Sequence, residues 1–231
     1  MATTAWADPP PLRARTDRYT RVAIVLHWVI AAAIIYNLTS GLLRDQLPRG
    51  FFALHISSGL TILILSVVRV VWKLMHKGLP FLPMAGWERW LARITHFLLY
   101  AAMLFVPWTG WVMISANPPA GSAGAAYAQA QSAQAATAAG KPAPVPRKPS
   151  LFWGLVEVPK IGPVADLGRE PAGVAEQRAF HEQMEETHGT VAIMLLFLLV
   201  LHVGGALKHQ FVDRQPELAR MGIGRGRGGS G

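Results

Sequence analysis

Two histidines, His188 and His202, stand fourteen residues apart in one apolar run, THGTVAIMLLFLLVLHVGGALK, at residues 187–208. On a helix this spacing gives about 21 Å of rise and a rotation of about −40° from alignment, so both rings leave one face at opposite membrane depths. Ionisable side chains are rare inside membrane spans and usually face the bundle interior, where they bind or pair with something. One helix with two such histidines points to two stacked cofactors. Two more imidazoles stand in apolar runs: His27 in YTRVAIVLHW and His55 in FFALHISSGL. Arg69 follows His55 by a further fourteen residues. It either snorkels to headgroups or pairs bidentately with an acidic cofactor group, and pairing is favoured because Lys73 and Lys77 already mark the boundary.

The elements that hold these residues are apolar blocks at 22–43, 51–72, 94–114 and 189–207, in a chain that is 52% hydrophobic and 15% charged. Each block matches a hydrocarbon core of about 30 Å, the fourth being slightly short. The expected architecture is all-α, an integral membrane four-helix bundle. Its parts are an N-terminal arm (1–21), helices one to three (22–114), an outer, periplasmic loop with an Ala/Pro-rich insert (115–186), helix four (187–208) and a tail (209–231).

The formal net charge of +9 would imply nucleic acid in a soluble protein, but its distribution gives a different reading. Arg13, Arg15, Arg18 and Arg21 precede the first span; Lys73, Lys77, Arg89 and Arg93 follow the second; Lys208, Arg214, Arg220, Arg225 and Arg227 follow the fourth. The alternate loops are poorer in basic residues for their length, so both termini are expected in the cytoplasm of a multi-pass inner-membrane protein. Cysteine is absent, which excludes disulfides, thiolate metal sites, iron–sulfur clusters and covalent c-type haem attachment.

Residues 1–17, with Pro9, Pro10 and Pro11, have little to bury and are expected to lack order. The first span is too long for a signal-peptide core and reads as an uncleaved anchor. The short connection 44–50 makes spans one and two antiparallel neighbours. Span three carries His96 at its cytoplasmic start and Pro107 deeper in, a kink site. Residues 117–150 read as a mobile outer spacer whose Ala-rich middle could form transient helix, and 152–164 as a lid on the outer membrane surface. AEQRAFHEQMEETHG is helical and leads into span four. Within it His181, Glu185 and His188 share a face, a weak metal signal beside the simpler reading of Glu182, Glu185 and Glu186 as a solvated helix-start face. His76 reads as a solvated loop residue, and Trp72, Trp87 and Trp90 as an interfacial belt.

Alone, His27 could equally hydrogen-bond a neighbouring helix. Taken together the histidines fall into two layers, His27 with His202 on the cytoplasmic side and His55 with His188 on the outer side. A b-type haem takes two axial imidazoles from facing helices, so two pairs give two non-covalent haems. The absence of intramembrane carboxylate and cysteine argues against zinc, di-iron and copper–thiolate sites.

The motifs YTRVAIVLHW, LHISSG with SVVRVVWK, THFLLYAAMLFVPWTGWVM and ETHGTVAIMLLFLLVLHVGGALKHQF with the trailing RM resemble the bacterial cytochrome b561 family of four-helix di-haem proteins. The resemblance covers all four spans; the insert at 117–150 departs from it. It implies that His27 and His202 are iron axial ligands of the cytoplasmic haem and His55 and His188 of the outer one. It also implies electron transfer between a membrane quinone and a second partner, and one branch of the family resembles a superoxide oxidase that reduces ubiquinone. His209, seven residues beyond His202 and beside Lys208, is the candidate quinone residue, with His96 second. The donor, superoxide or a redox protein, would dock where Arg44, Arg49, Lys160, Arg169 and Arg178 meet the opposing Glu182, Glu185 and Glu186. The expected partners are therefore membrane lipid, quinone and that donor, with no nucleic acid. A rival expectation is a non-catalytic haem-binding relay subunit that anchors a separate dehydrogenase. A transporter with histidine proton relays is disfavoured, since no internal repeat is evident.

Overall fold

The computed structural model describes residues 18–76, 79–142 and 149–224. The arm 1–17 with Arg13 and Arg15, Lys77, residues 143–148 of the insert, Arg225 and Arg227 lie outside the described residues, as does the side chain of Arg49. In chain order the helices are α1 (Arg21–Leu42), α2 (Arg49–Met75), α3 (Gly86–Ser115), α4 (Ala123–Ala138), α5 (Gly162–Asp166), α6 (Val174–Phe211) and α7 (Glu217–Arg220). Among the described residues α1, α2, α3 and α6 are long and apolar enough to cross a membrane. The expected all-α membrane bundle is therefore the observed one.

Local chemistry sets where these helices begin. Thr20 accepts a hydrogen bond from the Ala23 amide at the start of α1, and Glu88 accepts one from the Ala85 amide at the start of α3. Pro48 stands immediately before α2, where a missing N–H costs nothing. Helix α6 runs for 38 residues, about 57 Å, so the approach to span four and the span itself are one rod. His181, His188, His202 and His209 share that rod.

Backbone packing links α1 to α2, α2 to α3 and α3 to α6. Among the described residues α6 has no comparable packing against α1 or α2. A gap is left there, and it is bridged by imidazole rings. Between the two histidine depths a cluster of Ile30, Ile34, Ile62, Leu99, Ala102, Met103 and Leu195 fills the bundle. Outward residues such as Val25, Ile64, Phe97 and Phe197 stay exposed, as lipid-facing side chains must. In a soluble protein such apolar surface would be a liability.

The loop between α3 and α6 differs from expectation in two places. Residues 123–138 form helix α4, N-capped by Ser122, with the Gly124 amide donating to the Arg169 carbonyl at 2.8 Å. Alanine is the strongest helix former, and docking of the first turn offsets the entropy that would otherwise leave a short helix marginal. Second, the expected surface lid contains a β-hairpin, β1 (Leu151–Phe152) against β2 (Val156–Glu157), packed on the side of α2.

The tail closes the other end. Arg220, counted above as a topological charge, is buried: its guanidinium donates to the Pro80 carbonyl at 2.7 Å and lies over the Tyr19 ring. The Tyr19 amide donates to the Arg220 carbonyl, and the Trp28 indole donates to the Met221 carbonyl. Burial pushes the Tyr19 hydroxyl above its ordinary pKa. The trailing Arg-Met pair thus latches α7 onto the start of α1 and the α2–α3 connection.

Candidate functional site

The layer expected on the outer side is built by α2 and α6. His55 and His188 face each other with ring centroids 6.3 Å apart and planes at 66°. Each ring is held from behind by a hydroxyl. Ser40 Oγ lies 2.9 Å from His55 Nδ1 and donates its own proton to the Asn37 carbonyl, so His55 donates from Nδ1. His188 Nδ1 donates to the Val106 carbonyl at 3.0 Å and reaches Thr109 Oγ1 at 3.0 Å, while Thr109 donates to the same carbonyl. With Nδ1 protonated, Nε2 of both rings carries the lone pair a metal needs. These tautomers are assigned from the hydrogen-bond network.

Close approach supports each ring on a second side. A Cβ placed on Gly110 would lie 3.3 Å from His188 Cε1, and one on Gly41 would lie 3.4 Å from His55 Cε1. The same dipeptide pattern, hydroxyl then glycine, recurs as Ser40–Gly41 on α1 and Thr109–Gly110 on α3. Sequence reasoning missed these four residues, although two such dipeptides near the outer ends of spans one and three were a readable signal.

In the other layer, expected on the cytoplasmic side, His27 of α1 and His202 of α6 have centroids 6.2 Å apart and planes at 67°. A single ion bonded to two imidazole nitrogens at about 2 Å on opposite sides places the ring centroids about 6 Å apart. Both pairs meet that separation, so the residues fit a cofactor with one ion between each pair. His96 also enters the cytoplasmic layer, at 5.1 Å from His202 and 85° to it. That distance is short for two opposed ligands, which leaves His27 as the opposing partner. His96 Nδ1 is occupied by the Ala92 carbonyl at 2.6 Å.

Arg69 points inward. Its guanidinium donates to His27 Nδ1 at 2.9 Å and reaches the Tyr100 hydroxyl at 3.4 Å, above the Tyr100 ring. A neutral ring that accepts at Nδ1 carries its proton on Nε2. Ligation through His27 Nε2 therefore requires the other tautomer and the release of Arg69, which becomes available to an acidic group in the same layer.

At the end of α6, His209 Nδ1 donates to Asp213 at 2.6 Å, and Lys208 bridges Asp213 and Glu88. Hydrogen bonds from Lys208 and then His209 hold Asp213 below its ordinary carboxylate range. The sign follows: these contacts persist at neutral pH and are lost only as pH falls through that lowered value. Sequence reasoning singled out His209 and Lys208 but missed Asp213 and Glu88. His209 and His96 are held by different partners, Asp213 and the Ala92 carbonyl.

The other histidines have ordinary partners. His76 stacks on Trp72 with centroids 4.0 Å apart, and His181 donates from Nδ1 to the Met113 carbonyl. Glu185 is paired with Arg44 at 3.0 Å, and no cluster of three or more metal-ligating His, Cys, Asp or Glu side chains is present among the described residues. The His181–Glu185–His188 metal reading therefore finds no support.

Residues 18–224 match the family described as Prokaryotic cytochrome b561. The chain is also similar to two Escherichia coli (strain K12) proteins. It is 19% identical to cytochrome b561 homolog 1 over 212 residues, covering 89% of this chain and 97% of that protein. It is 25% identical to cytochrome b561 homolog 2 over 213 residues, covering 89% and 91%. With four membrane-length helices and two facing imidazole pairs in the gap beside α6, the chain belongs to the prokaryotic cytochrome b561 family of membrane haem b electron-transfer proteins.

Proposed function

We propose that this chain passes electrons between a donor at its outer face and the ubiquinone pool through two haem b groups, each held by two histidines. The observation that carries this reading is the near-identity of the two ring separations, 6.3 Å and 6.2 Å. In it His55 and His188 hold the outer haem and His27 and His202 the cytoplasmic one. Haem supplies one-electron chemistry at an iron whose potential is set by its axial ligands and their hydrogen bonds. The Nδ1 bonds of His55 and His188 keep those rings oriented and in the ligating tautomer. Arg69, once released from His27 Nδ1, would pair with an acidic group of a haem held by His27 and His202. In its imidazolium form, held at Nδ1 by Asp213, His209 donates from Nε2 to a quinone carbonyl, can pass that proton on and regains one from the cytoplasm, while Lys208 is held in place by Glu88 and Asp213.

Purified chain in lipid is expected to contain two haem b per polypeptide by pyridine haemochrome and to reduce a ubiquinone analogue unaided when its haems are chemically reduced. Haem without quinone reduction would favour the relay subunit instead. A haem-free preparation from haem-replete cells overturns the whole reading.

The close approach of Gly110 to His188 gives an independent check. Gly110→Val forces the His188 ring aside, an overpacking cost of about 1–3 kcal/mol. The expected result is reduced haem content with the His27–His202 haem spectrum intact. The orientation is tested in this naturally cysteine-free chain with Ala130→Cys. An impermeant maleimide should label it in intact cells, whereas labelling only after lysis inverts the topology and exchanges the two layers.

A further inference from the structure

The hairpin between α3 and α6 sits where an outer loop has no reason to be. Ser57 Oγ accepts the Trp153 amide at 2.9 Å, and its single hydrogen is shared between the Ala53 carbonyl at 3.1 Å and the Leu151 carbonyl at 3.3 Å. One turn further into the bundle, Thr61 Oγ1 accepts the Trp153 indole N–H at 3.1 Å. Ser57 and Thr61 are the eighth and twelfth residues of the 26-residue span Gly50–Met75. At 1.5 Å per residue that helix overhangs a hydrocarbon core of about 30 Å by only about 4–5 Å at each end. Ser57 then lies about 7 Å, and Thr61 about 13 Å, below the hydrocarbon surface. Sliding the helix by a full turn still leaves Thr61 inside.

The hairpin surface matches that depth. Leu155 is 84% exposed and Val156 64%, with Trp153 and Leu151 exposed beside them, and residues 151–156 carry no charge. A three-residue turn with positive φ at Trp153 and Gly154 reverses the chain, and the Leu155 amide donates to the Phe152 carbonyl. The chain then climbs along α3. The Trp111 indole donates to the Pro159 carbonyl, and the Ile161 amide donates to Ser115 at the helix end. Non-helical backbone at membrane depth survives only where protein groups satisfy its polar atoms. The hydroxyls of Ser57 and Ser115 do so here.

We propose that residues 151–156 form the tip of a re-entrant hairpin that dips into the leaflet at the α2 N-terminus, where Trp153, Leu155 and Val156 are solvated by lipid acyl chains, while the arm carrying Glu157 and Lys160 returns to the surface. The hairpin covers the side of α2 opposite His55, since Ser57 is rotated about 200° from it. It thus anchors the long loop without entering the histidine gap. Lipid, rather than a protein partner, is the occupant because the hydrogen bonds to α2 fix the tip within the hydrocarbon.

Site-directed spin labelling of the full chain in proteoliposomes tests this. Leu155→Cys carries the label at a side chain with almost no packing to lose. Phe197→Cys, on the exposed face of α6, is the lipid reference, and Ala130→Cys on α4 is the aqueous one. Relaxation at 155 is expected to respond several-fold more to molecular oxygen than to a water-soluble nickel chelate, as at 197, with the opposite preference at 130. A label at 155 as accessible to the nickel chelate as the label at 130 overturns the proposal.

Discussion

His188→Ala is expected to lower the haem content from two per chain to one, and His202→Ala to do the same while removing the other spectral component. The reason is geometric as well as chemical. His188 is one half of a pair whose centroids stand 6.3 Å apart, and no third ring is described in contact with His188. Truncation also strips the Val106 carbonyl and Thr109 hydroxyl of their imidazole partner, a cost of about 1–3 kcal/mol in a buried site. The cytoplasmic layer differs because His96 stands 5.1 Å from His202. Combining His202→Ala with His96→Ala separates loss of a ligand from substitution by a neighbour. Absorbance spectra and haem-to-protein ratios decide: retention of both haems in His188→Ala removes that residue from the ligand set.

That the two layers could be read from sequence at all follows from helix periodicity. Fourteen residues is close to four turns, so His188 and His202 had to share a face, as did His55 and Arg69. The four spans were equally legible, because hydrocarbon thickness fixes their length. Features that depend on which helix faces which were not legible. The hydroxyl–glycine pattern of Ser40 and Thr109 was readable, but which imidazole each one holds is fixed only where α1 meets α2 and α3 meets α6. Arg69 meets His27 across helices, a contact invisible in either segment alone. Residues 117–150 were read as a mobile spacer with at most transient helix in the Ala-rich middle, because they hold scarcely any large apolar residues; helix α4 is held by propensity and a backbone contact to Arg169. The β-hairpin inside the expected surface lid was not legible, because a short apolar run with two prolines and two glycines does not specify which neighbour it pairs with.

The entry and exit of electrons give the remaining large expected effects. Of the cations at the outer face, Arg44 is paired with Glu185 at 3.0 Å and Arg169 with Asp166 at 2.6 Å, while Lys160 donates to the carbonyls of Asn117 and Pro118. Arg178 lines a cleft of about 300 Å3 together with Gln177, His181 and Glu182. Positive potential at this face is therefore weaker than the count of basic residues implies. Among the described side chains, Lys160 and Arg178 would steer an anion such as superoxide, and screening by salt reduces that steering. Superoxide-driven haem reduction in stopped flow is expected to slow with ionic strength, and more gently than a +9 chain would predict. Haem reoxidation by a ubiquinone analogue is expected to slow by about 10²–10⁴-fold in His209→Ala, the usual contribution of a positioned proton donor. Asp213→Asn should slow it less, because the imidazole remains but loses its charged partner. Both variants keep every histidine of the two facing pairs, so an unchanged haem spectrum is part of the expectation. If superoxide reduces neither haem faster than buffer alone, the donor is a docked redox protein, with the α4 insert as its contact. If instead His209→Ala leaves quinone reduction at the wild-type rate, the quinone does not meet α6 at this end, and His96, facing His202 from α3, becomes the residue to replace next.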